Sequence, residues 1–221
     1  MAKSKNAWKS FEKWYKQEVE NEFGLKRHFS FQPLDDLFSN LPELPTDETV
    51  MLERFRQKLI LLVDSWSEED LKMNFISLVL NIVDFQQVVY RAFFDYSLTA
   101  ILKGEPIAGK VDCLVAKGSQ IAEKPIFFLQ EYKPEKRQSS DPLGQLLIAM
   151  IASQVLNNDT ESPLYGCYII GRNWFFVVLK NTDYIVSPAF ESTKAEDLNN
   201  ITRVLKKIKR LYEVKLNLQP T

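Results

Sequence analysis

The sequence predicts a mixed α/β fold with a helical extension at its amino end. Three observations lead there. Apolar residues recur at helical spacing up to about residue 83, and aromatic and β-branched runs of strand character come after them. A nearly all-apolar helix then interrupts those runs, as it does where a helix is buried on a sheet. The chain accordingly divides into a helical extension over 1–65 and a core domain over 66–215.

Residues 6–23 place Trp8, Phe11, Tyr15 and Val19 on one helical face. Pro33, Pro42 and Pro45 then mark 33–48 as an irregular connection. A helix over 48–64 turns Val50, Phe55, Leu59, Leu62 and Val63 inward. Ser67-Glu68-Glu69-Asp70 reads as an N-cap with an acidic first turn, which suits the helix dipole. The helix it opens runs to about residue 83 and buries Leu71, Phe75, Leu78, Val79 and Ile82.

Strands are expected over 90–102, 107–117 and 125–133, the first two joined by the turn Lys103-Gly104-Glu105-Pro106. After a polar loop, Asp141 and Pro142 read as N-cap and first helical residue of a buried helix over 142–156. Strands over 165–170 and 174–179 flank the turn Gly171-Arg172-Asn173, with a short strand near 184–186. The last helix, about 194–213, buries Leu198, Ile201, Leu205, Ile208 and Leu211 under a basic outer face.

Composition narrows the chemistry. The 221 residues are 45% apolar and 26% charged, as in a soluble globular protein. No apolar run approaches the roughly 18 residues of a membrane span, and the basic start leads into Trp8-Lys9-Ser10-Phe11-Glu12, which is no signal-peptide pattern. Cys113 and Cys167 fall in strands without zinc spacing, as buried thiols of a cytoplasmic protein do. His28 is the single histidine, so chemistries built on His pairs, Cys-His couples or His-rich metal clusters are nearly excluded. A net charge of −1 weighs mildly against binding a polyanion by bulk electrostatics.

Against that background three charged residues stand out. Asp112 lies in Val111-Asp112-Cys113-Leu114-Val115, and Glu131 and Lys133 end the apolar run that starts at Pro125. Charges in such strands lose hydration at a cost of several kcal/mol unless paired or metal-bound. Alternation puts Glu131 and Lys133 on one face with Tyr132 opposite, and Asp112 reaches that face if the hairpin pairs in register. Oxygen-only ligation favours Mg2+ or Mn2+, and Lys133 beside the metal can orient a water or stabilise developing charge.

The segments GKVDCLVA and PIFFLQEYKPEK resemble the PD-(D/E)XK nuclease superfamily, whose sheet displays an Asp and then an (Asp/Glu)-x-Lys. The likeness covers roughly 67–180 and extends to the nuclease domain of type I restriction enzyme R subunits. Val111 stands where the family name has proline. The resemblance implies a restriction-endonuclease-like core that hydrolyses DNA phosphodiester bonds. Asp112 and Glu131 would ligate the metal with the Tyr132 carbonyl, and Lys133 would serve in catalysis.

It also carries over Glu68 as a metal ligand, with Glu69 as the fallback, and Gln145 as a contact to the lysine region or a phosphate. The plainer readings are a first-turn acid and a buried amide. Lys136 and Arg137 would meet a phosphate backbone or lie in a solvated loop, and Trp8, Trp14 and Tyr15 would stack on bases or pack. Two alternatives stay open: a catalytically silent module that binds nucleic acid or protein, and a homodimer or subunit of a larger restriction or repair complex.

Overall fold

The computed structural model describes residues 9–135 and 140–219. Trp8, Lys136, Arg137 and the expected helix start at residue 6 lie outside the described residues. The chain opens with a 3-10 turn, Phe11–Lys13, and then α1, Lys16–Phe23. Next come β1 (Lys26–His28), α2 (Gln32–Phe38), α3 (Thr46–Leu62) and α4 (Glu68–Leu71). A π-turn over Lys72–Ile76 joins α4 to α5, Ser77–Val83.

Three long strands come next: β2 (Tyr90–Leu102), β3 (Glu105–Lys117) and β4 (Glu123–Lys133). The buried helix α6 (Pro142–Asn157) leads to β5 (Leu164–Ile170), β6 (Asn173–Lys180), β7 (Asp183–Val186) and β8 (Phe190–Glu191). The described chain ends with α7, Ala195–Lys215, and a short tail.

The strands form one mixed sheet in the order β1-β7-β6-β5-β4-β3-β2, with β8 paired to β6 off that path. Within it β4 and β5 run parallel, as do β1 and β7, and the other pairs are antiparallel. Helix α6 is the crossover that parallel β4 and β5 need. Each face of the sheet has its own apolar core. One face packs Phe75, Trp174, Phe176 and Tyr212 beneath α2, α3, α5 and α7. The other packs Phe11, Leu129, Met150 and Val177 beneath the amino-terminal segment and α6. The α/β class with a mixed sheet flanked by helices is therefore as expected.

Helix α6 lies so deep that every residue from Pro142 to Gln154 is buried, which is why its sequence has no polar face. Its start is locally determined: the Asp141 carboxylate accepts the N–H groups of Leu143 and Gly144 at 3.1 Å, and Pro142 occupies the first turn.

Several expectations are corrected. The helix expected over 6–23 is broken, because Trp14 and Tyr15 are extended between the 3-10 turn and α1. The irregular connection over 33–48 contains most of α2, with Pro33 tolerated in its first turn. On α3 the buried residues are Leu52 and Leu59, while Val50 and Leu62 are 49% and 40% exposed. Downstream, the π-turn adds a residue to the helical repeat and rotates α5 by about 100° relative to α4. Ile76 and Leu80 are thereby buried, and Leu78 is only half-buried.

The segment expected as a helical extension also supplies sheet. β1 pairs with β7 through Lys26–Asp183 and His28–Ile185, so residues 26–28 form one edge of the main sheet. Three polar residues carry no strand periodicity, so only their partner makes them a strand.

Candidate functional site

The site sits where the sheet opens. β3 and β4 remain paired as far as Cys113 and Gln130. Beyond that point β4 stays with β5 as far as Lys133 opposite Ile170, and β3 stays with β2. Asp112 and Glu131 are the next residues on each side of the divergence. The gap is bridged by a side chain: the Asp112 carboxylate accepts the Tyr132 N–H at 2.7 Å.

Strand alternation places Glu131 and Lys133 on the α6 side and Tyr132 in the opposite core. There Tyr132 is fully buried and its hydroxyl donates to Gln130 Oε1 at 2.5 Å. On the α6 side, Lys133 Nζ lies 2.7 Å from Glu131 Oε1 and 3.6 Å from Glu68 Oε2. Glu68 comes from the first turn of α4. Ser67 caps that turn by accepting the Asp70 N–H at 3.1 Å, and the Asp70 carboxylate accepts the Ser67 N–H at 3.1 Å in return.

Asp112, Glu131, Lys133, Glu68 and Gln145 all line one open cleft of about 530 Å³. Gln145 is buried, and its Nε2 donates to the Glu12 carbonyl at 3.1 Å. Its Oε1 is buried without a hydrogen-bond partner among the described residues. Glu69 points away, 72% exposed, with its carboxylate 3.8 Å from Lys72.

Burial and like charge dominate the electrostatics. The Glu131 carboxyl, 6% exposed, is pushed up to about 8, first by burial and then by the charge of Asp112, against the pull of Lys133. Burial also raises Asp112, while the Tyr132 N–H and Lys133 draw it back. For Lys133, burial works to lower the ammonium, but Glu131 and Glu68 outweigh it and hold it above its ordinary value. An acid-rich, poorly hydrated cluster with one lysine inside it is short of positive charge.

Further residues bear on this site that sequence patterns alone did not single out. Lys72, in the π-turn, is 8% exposed with its ammonium 2.8 Å from Asp95 Oδ2. Asp95 adopts φ +50° in the middle of β2, between the pairs Phe94–Cys113 and Tyr96–Val111, and so lies across from Asp112. It lines the cleft with Lys110, whose Nζ is 3.4 Å away. Left-handed backbone at a non-glycine costs of order 1–3 kcal/mol and gathers at functional sites. Lys72 carried little readable signal, since a lysine next to Leu71 falls beside the apolar stripe rather than on it. The turn of Asp95 carried none.

Glu12 and Lys13 also line the cleft, brought there by the amino-terminal segment. Phe11 packs against Gly109 of β3, where a Cβ would strike its ring. Trp14 and Lys16 cross α6 at Gly144, where a Cβ would lie 2.5 Å from the Trp14 carbonyl oxygen. The Lys16 N–H donates to Asp141 Oδ2 at 2.7 Å, so one aspartate caps α6 and holds this strap.

The donors around the cleft are carboxylate and amide oxygens, the set that hard divalent cations prefer. Among the described residues no three His, Cys, Asp or Glu side chains converge on a ligating geometry. Lys133 stands between the acids, its ammonium supplying the positive charge. No helix among the described residues is long and apolar enough to cross a membrane. No family model matches the chain, and no curated protein matches its sequence.

Proposed function

We propose that this chain is a Mg2+- or Mn2+-dependent nuclease domain of the PD-(D/E)XK type that hydrolyses phosphodiester bonds in DNA. One observation carries the reading. Asp112, Glu131, Lys133 and Glu68, from three separate elements, meet on one cleft at the open end of the sheet, with Lys133 Nζ between the two glutamates. A metal held by Asp112 and Glu131, with Glu68 beside them, would activate water and offset charge on the phosphate. Lys133 would stabilise the charge developing on the phosphate. Gln145, on the cleft wall, would contact the lysine region or a phosphate. Cys113 and Cys167, buried and unbridged, suit a reducing compartment such as the cytoplasm.

The test is cleavage of plasmid and linear duplex DNA with Mg2+ or Mn2+ by the whole chain and by Lys133→Ala. The expected result is metal-dependent cleavage that Lys133→Ala abolishes without loss of folded structure. Metal-dependent cleavage that survives the substitution removes the assignment. The second reading, a silent domain that binds nucleic acid or protein or serves in a larger restriction or repair complex, draws on the net charge of −1 and the Lys133–Glu131 pair. Titration calorimetry with Mn2+ separates the two, because absence of binding at Asp112 and Glu131 favours the silent domain.

A further inference from the structure

We infer that Lys13, carried on the amino-terminal strap, is a substrate-positioning residue that holds a phosphate of the polynucleotide beside the reacting one; this rests on the nuclease reading above. The cleft interior is acidic, with Glu68, Asp95, Asp112 and Glu131 on its walls. A polyanion approaching those acids needs positive charge at the rim, and among the described residues most of the nearby lysines are already paired with acids. Lys110 pairs with Asp95, and Lys133 with Glu131 and Glu68. On the strap itself Lys9 pairs with Glu18 at 2.8 Å and Lys16 with Glu20 at 3.7 Å. Lys13 also lines the cleft, is exposed, and has no ion-pair partner among the described residues.

Its position is built. Lys13 ends the 3-10 turn between two anchors, Phe11 against Gly109 on one side and Trp14 to Lys16 against Gly144 on the other. The preceding carbonyl, that of Glu12, accepts from Gln145 Nε2 at 3.1 Å. The ammonium therefore sits on an anchored backbone at the end of a long exposed side chain, as a phosphate contact requires. Glu12 lines the same cleft with the opposite charge, so the strap gives two neighbouring positions from which opposite effects are expected.

The experiment is steady-state cleavage of duplex DNA by the full chain with Mg2+ or Mn2+, at several salt concentrations. Lys13→Ala is expected to raise KM by about three- to tenfold, to leave kcat within about twofold, and to reduce the salt slope by about one. Lys13→Arg is expected to restore KM, and Glu12→Gln to lower it by about twofold. If the wild type cleaves while Lys13→Ala leaves KM and the salt slope unchanged, the inference is overturned and the nuclease reading stands. A fall in kcat with KM unchanged also overturns it, since Lys13 would then act in the chemistry. If the wild type fails to cleave, the nuclease reading falls and the inference with it.

Discussion

The Asp112 carboxylate accepts the main-chain N–H of Tyr132 at 2.7 Å, spanning the point where β3 leaves β4. A side chain thus supplies the hydrogen bond that the ladder no longer provides, and it ties one candidate metal ligand to the strand that bears the other.

Asp112→Ala and Asp112→Asn should therefore behave differently. The alanine variant leaves the Tyr132 N–H without this acceptor, so it should be less stable than the asparagine variant by about 1–2 kcal/mol in urea unfolding. Both should lose metal binding by calorimetry, because both lose the carboxylate charge. Equal stability of the two would mean that another acceptor takes the N–H.

Metal affinity should depend on pH through Glu131. With its carboxyl pushed up to about 8, the folded protein holds a proton there that a cation must displace. Mn2+ affinity should strengthen by up to about tenfold per pH unit below 8 and level off above it. The stability effect runs with the opposite sign in metal-free protein. Between the ordinary glutamate value of 4.5 and about 8, the folded state binds the proton that the unfolded state has released. This group therefore removes stability as pH rises through that window. Glu131→Gln should abolish its contribution, read as a flatter melting-temperature profile between pH 5 and 8.

Gly144→Val should unseat the amino-terminal strap. The added carbons would meet the Trp14 carbonyl and the Lys16 N–H, and the Lys16–Asp141 hydrogen bond would be strained. A destabilisation of about 1–3 kcal/mol is expected, with faster proteolysis confined to the first 25 or so residues. Uniform proteolysis along the chain would show that the strap and core unfold together.

Ser67→Ala removes the cap that sets the first turn of α4 and so the approach of Glu68. A loss of about 1 kcal/mol, or about 2–4 °C in Tm, is expected. Mn2+ binding should weaken if Glu68 is a ligand. Unchanged binding in a destabilised variant would assign Glu68 to the helix dipole alone.

Much of the sheet could be read from the residues. β2, β3, β4, β5 and β6 lie within about two residues of where their aromatic and β-branched runs place them. The Asp141-Pro142 start of α6 and the Ser67 cap were equally legible, because capping is a local exchange of hydrogen bonds. The candidate site divides differently. Alternation alone put Glu131 and Lys133 on one face, but nothing in the spacing showed that Lys72 and Asp95 would pair beside Asp112, or that the amino-terminal strap would form a wall of the cleft.

The sequence by itself determined the long strands β2 to β6, the starts of α4 and α6 with their caps, and which charges sit in apolar runs. Those properties depend on a few neighbours along the chain. Tertiary structure decided the rest. β1 is a strand only because β7 lies beside it, and the helix expected over 6–23 breaks where Trp14 and Tyr15 seat against Gly144. The π-turn and the left-handed Asp95 break local preference, and their ion pair joins residues 23 positions apart. Contacts between distant residues recover those costs, so they could be found only where the chain comes together.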